Sequence, residues 1–140
     1  MKKVEIKNVI MSLGAIMFTT VLISFTASQD KQPKPWEVPA EYKSMENPVE
    51  ADKASINTGK QLYMKHCASC HGRTGEGDGP KSRRLETFSG DFSKEAYQKQ
   101  TDGEMFYKTK FGRDEMPGYE GKVSDKDIWH MVNYMRTFDD

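Results

Sequence analysis

Hydrophobic and polar positions divide the chain into three regimes. Residues Asn8 to Gln29 carry no charge, and the apolar run Val9 to Phe25 is preceded by Lys2, Lys3 and Lys7 and followed by the small residues Thr26-Ala27-Ser28. This order predicts an export signal over residues 1–28. The alternative is a retained N-terminal membrane anchor, since the uncharged stretch is just long enough to cross a bilayer, although Ser12, Gly14, Thr19, Thr20 and Ser24 dilute it. Either way the remainder is expected on the outer side of the cytoplasmic membrane, periplasmic and soluble or tethered. No cysteine lies near the cleavage point to carry a lipid.

The second regime, residues 29–48, holds Pro33, Pro35, Pro39 and Pro48 among lysines and glutamates. These block regular helix and favour an extended linker or arm. Trp36, Val38, Tyr42 and Met45 are its sizeable apolar residues, expected to dock on the chain's own domain or on a partner. The third regime, residues 49–140, is periodic only at helical spacing. A helix capped by Ser55 is predicted with Ile56, Gly59, Tyr63 and His66 inward. Short helices follow over Ser93–Lys99 and from Asp102 as cap to about Lys110, ended by Gly112. A last helix starts at Ser124, with Asp127 three residues on, and lines up Ile128, Met131, Val132, Met135 and Phe138. No segment reads as a strand, so the expected class is all-α.

Composition sharpens this picture. The 140 residues are 36% hydrophobic and 30% charged, with mean hydropathy −0.80, and much of the apolar content sits in the leader. The exported part cannot build a large core of its own. Two long glycine-rich loops, Gly72–Pro80 and Gly112–Gly121, imply that something besides protein fills the middle. Without Lys2, Lys3, Lys7 and Glu5, residues 29–140 carry 18 basic and 20 acidic side chains. That balance argues against nucleic acid as a partner.

The two cysteines, Cys67 and Cys70, stand in the string Cys67-Ala68-Ser69-Cys70-His71. This is the C-x-x-C-H pattern of covalent c-type haem attachment: two thiols add to the two vinyl groups, and the adjacent histidine is delivered to the iron. A zinc site would want a second Cys/His pair, for which only the distant His130 remains. A redox dithiol would place the pair after a strand, at the start of a helix. One covalently bound haem c is the expectation.

These residues resemble a class I bacterial cytochrome c, a small all-α monohaem fold with helices packed around the haem. The resemblance spans residues 49–140 and rests on four features: Gly59 to Tyr63 leading into Cys67–His71, the loop Gly72–Pro80, the turn Met116-Pro117-Gly118, and Trp129 to Tyr134 in the last helix. It implies that Gly59 and Tyr63 lie where the first helix crosses the last, the glycine admitting Tyr134 or Met131. Met64, Met105, Met131 and Met135 lie in predicted helices, where methionine is core filler. Met116 sits in a loop stiffened by Pro117, where the family keeps its axial methionine, so His71 and Met116 are the expected iron ligands. Pro80 resembles the family proline whose carbonyl accepts the His71 Nδ1 proton; a proline that merely ends the loop is the alternative.

With both axial positions filled, the resemblance implies electron transfer and no enzyme activity: a carrier between respiratory partners such as a terminal oxidase, a reductase or a quinol-oxidising complex. A fixed subunit of such a complex is the alternative, with a haem sensor or enzyme further off. The domain is expected to be monomeric, with membrane association only through its N-terminal segment.

Overall fold

The computed structural model describes residues 35–139. The expected export segment and the start of the arm lie outside these residues. Within them the chain is helical wherever it is regular: α1 (Ala40–Lys43), α2 (Lys53–His66), α3 (Ala68–His71), a 3-10 turn (Ser82–Arg84), α4 (Glu95–Gln98), α5 (Asp102–Phe111) and α6 (Asp125–Arg136). Among the described residues there is no strand, only an isolated bridge between Arg113 and Met116. None of the described helices is long and apolar enough to cross a membrane.

The fold is organised by α2 crossing α6, with α5 packed on α6. Tyr63, Met105, Phe106, Ile128, Met131 and Val132 are the largest wholly buried side chains, each contributing about 1.5–3 kcal/mol of transfer free energy. The predicted stripe of the last helix is thus the centre of the core. The crossing needs Gly59, because a Cβ there would stand 1.9 Å from the His130 carbonyl oxygen and 2.9 Å from the Tyr134 Cβ. Phe106 stacks on Trp129 with ring centroids 4.2 Å apart, fastening α5 to α6. Arg136 ties the same elements, donating to Asp102 Oδ1 (2.6 and 2.8 Å), the Gln98 carbonyl (2.6 Å) and the Gln100 carbonyl (2.6 Å).

The short helix predicted over Ser93–Lys99 shrinks to Glu95–Gln98, and two further predicted helix starts move. Asp52, not Ser55, caps α2 by accepting the Ser55 N–H at 2.7 Å. Ser55 falls inside the first turn and is buried, its hydroxyl meeting His130 Nδ1 and Asn133 Nδ2, each at 2.8 Å. Thr101, not Asp102, caps α5. There Thr101 accepts the Glu104 N–H and Glu104 accepts the Thr101 N–H, a reciprocal box that a lone Asp102 could not form. Ser124 caps α6 as expected, accepting the Asp127 N–H at 3.1 Å.

The arm is not wholly extended. Pro39 opens the single turn α1, which lies on α5: a Cβ at Gly103 would stand 1.8 Å from the Tyr42 carbonyl oxygen. Val38 is buried, and the Tyr42 ring lies 4.8 Å from Tyr107 and 5.7 Å from Phe111. Over its described part, then, the arm docks on its own domain.

Candidate functional site

Helix α2 delivers the cysteine pair. The Cys67 N–H donates to the Tyr63 carbonyl at 2.8 Å and ends α2, and the chain then makes the extra turn α3, in which the Cys70 and His71 N–H groups both donate to the Cys67 carbonyl. Cys70 and His71 are therefore three and four residues beyond Cys67 on one helical turn, which puts the three side chains on neighbouring positions. Both thiols are free and half-buried. Burial, then the neighbouring Cys70, pushes the Cys67 thiol up to about 12. A redox dithiol needs the opposite shift to expose a thiolate. No three His, Cys, Asp or Glu side chains gather to hold a metal ion among the described residues, so the zinc alternative lacks its ligands.

The glycine loop is ordered by the motif it follows. The Gly77 N–H donates to the His71 carbonyl (2.8 Å), the Gly79 N–H to Cys70 (3.2 Å) and the Lys81 N–H to Ser69 (2.8 Å), while the Tyr63 hydroxyl donates to the Gly72 carbonyl (2.9 Å). Gly79 must lack a side chain, since a Cβ would lie 2.6 Å from the carbonyl oxygens of Ala68 and Ser69. The loop thus lies directly against the backbone of the Cys67–His71 turn.

The His71 ring packs 4.5 Å from Phe92, which stacks in turn on Tyr97 at 4.1 Å. Burial pushes the imidazole down to about 4, against an opposing contribution from the Ser89 backbone, and so holds it neutral. Its Nδ1 is buried with no hydrogen-bond partner. The expected bond to the Pro80 carbonyl is therefore not made in this structure. Pro80 is exposed, and its neighbours Gly79 and Lys81 are pinned to the motif's backbone and not to the ring. A neutral imidazole beside two free thiols is a donor set that fits covalent haem: two sulfurs to form thioethers and one ring nitrogen for iron, while the buried Nδ1 would carry the proton.

Met116 is held in a tight hairpin. Arg113 and Met116 exchange both backbone hydrogen bonds at 2.9 Å, and Asp114 between them adopts φ 51°. Gly112, at φ 66°, lets the hairpin fold back, because a Cβ would meet the Met116 carbonyl oxygen and the Gly118 nitrogen at 2.4 Å. The Tyr119 hydroxyl then donates to the His66 carbonyl at 2.8 Å. That bond fastens the methionine loop beside the cysteine pair, and burial there pushes the Tyr119 hydroxyl up to about 12. Tyr119, Phe92 and Tyr97 were not legible in the sequence as site residues: they lie in irregular or very short segments where no periodicity marks an inward position. His66 and His130 take structural roles, His66 through its carbonyl and His130 through Ser55.

A sequence model of the family described as cytochrome c oxidase, cbb3-type, subunit III matches residues 54–135. No curated protein matches the chain significantly. Among solved structures, the KustC0563 c-type cytochrome is 24% identical with a TM-score of 0.52, covering 59% of this chain and 98% of that one. A chain of the Kuenenia stuttgartiensis reducing HAO-like protein complex Kustc0457/Kustc0458 is 22% identical with a TM-score of 0.57, and the match takes in 78% of this chain but only 52% of that one. At these identities the structural likeness speaks for the fold. Together with the all-α architecture and the C-x-x-C-H turn, the family match makes this chain a member of the cbb3-type subunit III cytochrome family, with a class I cytochrome c domain that implies haem c.

Proposed function

We propose that the chain carries single electrons between redox proteins on the outer side of the cytoplasmic membrane, to which residues 1–28 direct it. The observation that carries this reading is the Cys67–His71 turn, with its two free thiols and its neutral imidazole, in a cytochrome c domain. When bound, haem c supplies one-electron cycling between ferrous and ferric iron. Cys67 and Cys70 would attach it, and His71 and Met116 would hold the iron.

Each residue has a task in that arrangement. Phe92 and Tyr97 brace the His71 ring, so the nitrogen is presented in one orientation. As a ligand, Met116 would offer a soft thioether that favours the reduced state and would move the potential towards the high end of the haem range. The Arg113–Met116 bridge, Gly112 and the bond from Tyr119 to His66 keep that sulfur in a stiff loop, limiting rearrangement when the charge changes. With both His71 and Met116 holding the iron, oxygen or peroxide would find no open position there.

Visible spectra of the purified full-length protein, oxidised and then reduced with carbon monoxide added, test this. A haem c spectrum that carbon monoxide leaves unchanged is the expected result. Ready binding of carbon monoxide would move the assignment to a haem sensor or enzyme, and the absence of haem would overturn it. A second reading, a fixed subunit of a membrane oxidase or reductase complex, is favoured by the description of the matched family. Co-purification with a terminal oxidase, reductase or quinol-oxidising complex after mild detergent extraction would support that reading over a free carrier.

A further inference from the structure

The methionine hairpin is gripped from two sides by groups distant in sequence. On one flank Glu115 Oε2 accepts from the Glu86 N–H (2.9 Å) and the Thr87 N–H (3.2 Å). On the other, the Arg113 guanidinium donates to the Pro35 carbonyl at 3.0 Å and lies over the Trp36 ring, 4.5 Å from its centroid. Arg113 is also the residue whose backbone is doubly bonded to Met116. The arm is thus joined to the loop that carries the sulfur by a side chain only one hairpin pair away.

The arm is built to deliver this contact. Pro35 and Pro39 fix the backbone on either side of Trp36 and Val38, Val38 is buried, and the Tyr42 carbonyl seats on Gly103. Little conformational freedom remains to be lost when Trp36 meets Arg113. Lys108 lies on the same ring, 5.9 Å from its centroid, so the indole face attracts two cations.

We propose that Trp36 and Arg113 are positioning residues for Met116: the N-terminal arm acts as a strut that keeps the methionine loop closed on the iron, and releasing the arm opens it. This rests on the reading of Met116 as the axial ligand.

The test uses the full-length haem-loaded protein and two readouts: the long-wavelength sulfur-to-iron charge-transfer band of the ferric form, and the affinity of the ferric iron for imidazole. An external ligand binds only when Met116 is off, so its apparent affinity scales with the population of the open loop. Losing the cation–π contact predicts that Trp36→Ala tightens imidazole binding about two- to fivefold and weakens the band. Trp36→Phe, which keeps a smaller ring face, and Arg113→Lys, which keeps the charge but not the guanidinium, are expected in between. Glu37→Ala, exposed beside Trp36, is expected to match the wild type. Imidazole binding unchanged in both Trp36→Ala and Arg113→Lys overturns the strut while leaving the axial role of Met116 standing. Met116→Ala separates the two claims: if the band and imidazole binding survive that change, the ligand assignment falls, and the strut with it.

Discussion

Replacing Gly59 by alanine probes the helix crossing on which the whole domain depends. The new methyl carbon would sit 1.9 Å from the His130 carbonyl oxygen, where a carbon and an oxygen need about 3.3 Å. The obstacle is backbone, so no side-chain rotation relieves it, and α2 and α6 must separate by about 1.4 Å at this point. Overpacking of this kind costs about 3 kcal/mol, the upper part of the usual range. Alanine returns about 1 kcal/mol through its better helix propensity. The net loss of about 2 kcal/mol lowers the melting temperature of a domain this size by about 8–16 °C. Thermal unfolding of the haem-loaded protein followed by far-ultraviolet circular dichroism reads this directly. Asn57→Ala, exposed on the same helix, is the control and is expected to gain a few tenths of a kcal/mol. A Gly59→Ala protein that melts at or above the wild type would show that propensity outweighs the contact, and the argument for a close crossing would be wrong.

Other substitutions test separate parts of the account. Thr101→Ala removes the cap of α5 and is expected to cost about 1 kcal/mol in denaturant unfolding, with the spectrum of the haem unchanged. Arg136→Met deletes donors to two carbonyls and to Asp102; because the pair is about a third exposed, its charge is discounted, and a loss of about 2–3 kcal/mol is expected in the same assay. Tyr63→Phe leaves the Gly72 carbonyl without its donor, and a cost of about 1–3 kcal/mol should appear in thermal melts. Replacing both Cys67 and Cys70 by alanine is expected to yield a haem-free, largely unfolded chain, and a normally folded product by circular dichroism would contradict the assignment of the cysteine pair.

Much of this molecule is local in origin, and the sequence by itself determined that part. The last helix announces itself through Ser124, Asp127 and an apolar stripe at the helical period, because capping and amphipathicity are properties of neighbouring residues. The motif Cys67–His71 is legible for the same reason: its chemistry needs a spacing of two residues and nothing distant. At two helix starts, Ser55 and Asp102, the cap read from the sequence was displaced by a neighbour, Asp52 and Thr101. Ser55 was drawn into the core by His130 and Asn133, leaving Asp52 to cap. The Thr101–Glu104 box was itself present in the chain and outbid Asp102 with two reciprocal bonds.

What only the tertiary structure decided is how pieces remote in sequence close around the motif. Phe92 reaches the His71 ring because its N–H is held by the Gly75 carbonyl. Tyr119 fastens the Met116 loop to the end of α2, and Trp36 braces Arg113 from the other end of the chain. None of these contacts has a period or a cap, since each joins irregular segments whose path is set by backbone bonds to distant partners. The chain therefore specifies its helices and its cysteine chemistry residue by residue, whereas the surroundings of His71 and Met116 exist only once α2, α5 and α6 have packed and brought the loops between them together.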